Sequence, residues 1–138
     1  MKRTIALIMA GLLGVVVVVI LTLRILISHS VRENITIAEN HYPGSAEDAL
    51  IAYLSDTANS TDDRTKIAIW TLGQTRSTKA LPYLQELYNE DPEGRTCKGR
   101  HDSVLCQREL HKAIVSIENG LPGAKKKIWL GFWQRTDD

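Results

Sequence analysis

Hydrophobic and polar positions divide the chain into one uniformly apolar stretch and four amphipathic ones. From Thr4 to Leu23 there are 20 residues without a charge, with five consecutive valines from Val15 to Val19. As a helix this stretch spans about 30 Å, the thickness of a bilayer core. Burying so uniform a helix inside protein needs apolar cover on every side, more than the rest of the chain supplies. A secretory signal peptide is the rival reading, but its apolar region runs to only about 7–15 residues. The expectation is an uncleaved transmembrane anchor over residues 1–28.

Beyond the anchor the period changes. Residues 29–44 are polar and end in the turn signal Tyr42-Pro43-Gly44, which predicts a juxtamembrane linker, with Val31, Ile35 and Ile37 either prolonging the anchor helix or lying in a loose segment. Ala46, Ala49, Leu50, Tyr53 and Leu54 then mark one face of a first domain helix, opened by Ser45 and Asp48 as an approximate capping box. A second helix starts near Asp62 and Asp63, whose charges suit a helix N-terminus. It is continuously apolar from Ile67 to Trp70, so Trp70 is expected in the core. A third runs from Thr78 to about Glu90, with Ala80, Leu81, Leu84, Leu87 and Tyr88 inward. A fourth spans roughly Ser103 to Asn119, with Leu110, Ala113, Ile114 and Ile117 on one face. Gly120 in the left-handed conformation, followed by Leu121 and Pro122, is its expected stop.

The second and third helices meet in a characteristic step. Ala68 and Leu72-Gly73-Gln74 close one helix, Ser77 is placed to cap the next, and Ala80-Leu81-Pro82 with Leu84 opens it. This stretch resembles the short HEAT-like repeat of phycobilisome-lyase-type proteins. It departs at Thr75, where the family favours an aliphatic residue, and at Arg76, where Gly is common. Tyr53-Leu54 recurs as Tyr83-Leu84, and Ala68 and Leu72 recur as Ala113 and Ile117. The resemblance therefore implies an all-α domain over residues 45–123, a short solenoid of about two HEAT-like helix pairs with an insertion in the second. Two pairs are fewer than a solenoid usually needs, so residues 124–138 are expected to cap the open end. Trp129, Phe132 and Trp133 would form one aromatic face there. With Lys125, Lys126 and Lys127, the two tryptophans also make a candidate surface patch for a membrane headgroup zone.

Charge adds little specificity. The net charge is +1. Residues 33–63 hold seven acids and no base, while residues 95–135 hold nine bases and three acids. A near-neutral balance is not a nucleic-acid-binding profile. No nucleophile–base pair, phosphate loop or HExxH motif is present, and neither enzymatic activity nor a cofactor is expected. Lyase activity, known in some relatives of the family, is not carried over, because two repeats offer no cavity for a chromophore. Two glycosylation sequons occur, Asn34-Ile35-Thr36 and Asn59-Ser60-Thr61. Ala6, Ala10 and Gly14 form a small-residue stripe through which the anchor could pair as a homodimer.

Cys97 and Cys106 are the only cysteines, and both lie in or beside the inserted loop. Three outcomes stand open. A disulfide would close a short loop and contribute about 2–3 kcal/mol. A zinc site would add His101 and His111 as ligands. Free thiols would mark a reducing compartment. The disulfide is the expectation, with the N-terminus cytoplasmic and the domain extracytoplasmic (periplasmic or extracellular). The expected function is a membrane-anchored protein-interaction or scaffold module for an unidentified protein partner. The alternative is a metal-binding or thiol-redox module centred on Cys97, His101, Cys106 and His111.

Overall fold

In the computed structural model, residues 2–120 are described, with side chains for residue 9 and for residues 11–120. All regular structure among them is helical, as the period of the hydrophobic positions predicts. Helix α1 (Lys2–His41) is a single run of 40 residues. Helix α2 (Ala46–Ser55) follows after a short turn. Helix α3 covers residues 61–75 in three pieces: Thr61–Asp63, a π-helical stretch Arg64–Ile69, and Trp70–Thr75. A 3₁₀ turn, Thr78–Ala80, leads into α4 (Leu81–Leu87). Helix α5 (Gln107–Glu118) completes the fold.

The stretch expected to be a linker continues the anchor helix, one of the two outcomes that Val31, Ile35 and Ile37 leave open. Helix α1 runs through residues 29–41 without a break, and its Ala38 is fully buried in the domain core. Ile35 and Ile37 pack against the same core. One turn of polar sequence after the apolar run is too little to stop a helix that has no Gly or Pro between Gly14 and Pro43. Residues 11–41 are long and apolar enough to cross a membrane, and their apolar side chains from Leu12 to Ile27 are exposed.

Helix α3 is the central element, packing on α1, α2 and α5, while α4 lies on α5. Helix α2 thus touches α3 and α4 touches α5, with the end of α1 completing the core. Leu50, Leu54, Ile69, Leu72, Leu84, Leu110 and Ile117 form its centre. The caps follow the sequence. The Asp48 N–H donates to Ser45 Oγ, and the Ala80 N–H donates to Ser77 Oγ. Ser60, unnoticed in the sequence, caps α3 by accepting from the Asp63 N–H at 3.0 Å. Each side-chain oxygen takes an N–H that the first turn leaves without a helical partner.

The left-handed residue expected at Gly120 is found elsewhere. Arg76 adopts it, with φ 55°, at the end of α3. This is the position where the resembling family often has Gly, which avoids the steric cost a Cβ meets there. Gly120 instead gives room: a Cβ on it would stand 2.7 Å from Arg76 Cδ.

Gly73 is the closest approach of α3 and α5. A Cβ there would lie 2.9 Å from Ala113 Cα, and the Gly73 carbonyl accepts from Ser116 Oγ at 2.8 Å. Backbone on the far side cannot rotate away. Gly73→Ala should therefore cost about 1–3 kcal/mol, the range for overpacking a core. Thermal melts followed by circular dichroism would show this as a fall of several degrees. An unchanged midpoint would mean the two helices are not in contact there.

Candidate functional site

A groove of about 1260 Å³ lies beside α3. Its walls come from Ser30 and Asn34 of α1, from Asp62, Lys66 and Trp70 of α3, and from the loop that precedes α5. Trp70 explains why the groove exists. The buried positions of α3 include two rows spaced by four, Arg64, Ala68 and Leu72 with Thr65, Ile69 and Gly73 beside them, and Thr71 is buried under Asn34 of α1. A π-helical turn inside an α-helix suits that spacing better than α-geometry alone, and such turns often mark functional sites. With Ala68, Ile69 and Leu72 facing the core, Trp70 is left half-buried on the groove. The expected core tryptophan is thus a wall residue. Continuous apolarity could not reveal the side on which it would fall.

Polar contacts lock the π-helical stretch to its neighbours. Asn34 Nδ2 donates to Thr71 Oγ1 at 2.9 Å and to the Lys66 carbonyl at 3.3 Å, tying α1 to α3. Buried Arg64 donates from Nε to the Leu54 carbonyl at 2.6 Å. That carbonyl belongs to the last turn of α2, where a cation also meets the negative end of the helix dipole. Asn59 donates to the Tyr53 carbonyl and to Tyr42 Oη, which in turn donates to Asp56. Both sequon asparagines, Asn34 and Asn59, therefore hold the fold together through their amides.

The loop between α4 and α5 is ordered by a few named side chains. Gln107 bridges its ends, donating to the Leu87 carbonyl at 3.2 Å and accepting from the Asn89 N–H at 2.7 Å. Asp91 accepts from the Thr96 N–H, the Thr96 hydroxyl and the Arg95 N–H. Those bonds, led by the Thr96 N–H, hold the Asp91 carboxyl below the usual carboxylate range. Thr61 Oγ1 donates to the His101 carbonyl at 2.7 Å, fastening the loop to α3.

Cys97 and Cys106 are both buried, at 2% and 6% exposure, and both border the groove. The two thiols are free, so the expected disulfide is not supported, although both cysteines border the same groove. Cys97 Sγ also donates to the Gly94 carbonyl at 3.2 Å. Burial, then the contact with Cys97, pushes the Cys106 thiol up.

The four-ligand zinc set does not assemble. His101 borders the groove with the cysteines, but His111 stacks on Tyr88 with ring centroids 5.6 Å apart. There it lines a separate small pocket of about 280 Å³ with Gln85 and Glu118. His111 is five residues beyond Cys106, about 140° round the helix, so its side chain leaves the face that carries Cys106. Among the described residues no group of three or more His, Cys, Asp or Glu is placed to hold a metal ion.

Of the repeat-motif residues, Ala68, Leu72, Gly73, Ala80 and Leu84 are buried, Leu81 is partly buried and Pro82 is exposed. The patch of Lys125, Lys126, Lys127, Trp129 and Trp133 lies outside the described residues, as do the side chains of Ala6 and Ala10. Gly14 is exposed on α1. No family model, curated protein or solved structure matches the chain.

The bonds to Asp91 give the loop a pH dependence. Its folded pKa lies below the unfolded value of about 3.9, so its contribution is complete above that value. It is lost as pH falls through the lowered folded value. Asp56, held down mainly by the Tyr42 hydroxyl, and Asp48, held down mainly by Lys79, act in the same direction. Melting midpoints should be flat above about pH 5 and fall below pH 4. Asp91→Asn should make that fall shallower, and an unaltered slope would mean Asp91 does not order the loop.

Proposed function

We propose that the chain is a single-pass membrane-anchored protein-interaction module, with the Trp70 groove as its docking site. The observation that carries this is the mounting of the groove. Its α1 wall, at Ser30 and Asn34, begins about one helical turn beyond the last exposed apolar residues, Leu26 and Ile27. An uninterrupted helix would hold that wall at a fixed height above a bilayer. A rigid groove with one large aromatic and mixed charges around it suits an exposed segment of another membrane or membrane-proximal protein. The HEAT-like reading fits the buried Ala68, Leu72, Ala80 and Leu84 and the tight turn at Arg76, and it favours a binding surface over chemistry.

Two experiments test the reading. A photo-crosslinking residue at Lys98, on the groove wall, should trap a discrete protein partner in native membranes. The same residue at Tyr83, exposed on α4 away from the groove, should not. Equal trapping at both positions would remove the groove from the account. The domain is proposed to lie on the extracytoplasmic side, so alkaline phosphatase fused after Asp138 should be active in a bacterial host. An inactive phosphatase with an active cytoplasmic reporter at the same point would reverse the orientation.

Trp70→Ala should weaken that crosslinking while costing less than about 2 kcal/mol. A fully buried core aromatic would cost about 3–5 kcal/mol. A larger loss would return Trp70 to the core.

A further inference from the structure

Residues 88–106 contain no regular helix, yet they build one wall of the groove and carry its only two sulfur atoms. Free cysteines often serve as small apolar fillers. Three observations set this pair apart. Both sulfurs are buried on one groove and belong to one loop, not to opposite sides of the core. Gly94 leaves the space for Cys97 beside the start of α5: with φ 67°, its Cβ would stand 2.9 Å from Cys97 Sγ and 2.8 Å from Arg108 Cβ. Cys106 is the N-cap residue of α5, two positions before Arg108, so both cysteines lie at the same helix start.

We infer that Cys97 and Cys106 are a dithiol switch, closed into an intramolecular disulfide by exchange with a disulfide donor, and that closure locks the groove wall. One cysteine thiolate attacks the donor disulfide, forming a mixed disulfide and releasing the first donor thiolate. The second cysteine thiolate attacks the protein sulfur of that mixed disulfide and expels the second donor thiolate. The two protein sulfurs are oxidised, the donor disulfide is reduced, and the two cysteine protons end on the donor thiols. Access comes from opening of the loop, whose turns rest on the Asp91 and Gln107 bonds and not on helix packing. A reductant of the dithiol class reverses the step. The switch concerns the loop itself and holds whatever the groove binds.

The test uses the full chain in detergent micelles, treated with oxidised glutathione without denaturant. Intact mass should fall by about two units relative to the reduced chain. Trypsin cuts after Arg95, Lys98 and Arg100, all exposed on this loop. Cleavage there should slow about tenfold on oxidation and recover with dithiothreitol, since a locked loop opens less often. In Cys97→Ser, oxidation should stop at a glutathione adduct on Cys106, with no change in the trypsin rate. Thiols that react only in urea would make the cysteines mere packing. A stable glutathione adduct on the wild-type chain would show that they do not pair. A two-unit loss with an unchanged trypsin rate would overturn the locking.

Discussion

Everything in this fold hangs on α1 being two things at once. Its first half is apolar on all sides, and its last three turns supply Ala38 to the domain core. Asn34 fixes the helix by donating to Thr71 and to the Lys66 carbonyl, so the anchor is bonded into the middle of α3. Removing α1 from the domain would uncover the faces of α2 and α3 on which it packs and take Asn34 away from the Thr71 hydroxyl. The domain is therefore built on its anchor, and a tether is the wrong image for α1.

The second constraint is the π-helical stretch of α3. It aligns Arg64, Ala68 and Leu72 on the core side and puts Trp70 on the groove side. Arg64 satisfies the end of α2, and Gly73 allows α5 to approach within van der Waals contact. One helix thus holds α1, α2 and α5 together while keeping its largest side chain out of the core. The loop before α5 closes the groove from the other side, stapled at its ends by Gln107 and organised within by Asp91.

Much of the framework was legible in the residues. The apolar faces of α2, α4 and α5 are those that the period of the sequence marks, because packing on one side leaves a direct imprint on composition. Ser45 and Ser77 cap as their spacing indicates, since a cap needs only local geometry. What the sequence hid were the features set by non-local contacts. The helical character of residues 29–41 depends on Ala38 finding a core four helices wide. The side on which Trp70 falls depends on a π-helical turn that continuous apolarity cannot announce. His111 looks like a partner for the cysteines along the chain, yet the rotation of α5 turns it towards Tyr88. That Cys97 and Cys106 border one groove fits their short separation, whereas their state as free thiols is not something spacing decides.

The account turns on the continuity of α1 from the membrane into the core. Amide hydrogen exchange of the full chain in lipid nanodiscs measures it directly. Residues 28–41 should exchange as slowly as the core helix α3, with no fast segment between Ile27 and Ala38. Fast exchange of Ser28 to Arg32 would reveal a hinge there and contradict the claim that anchor and domain share one rigid helix.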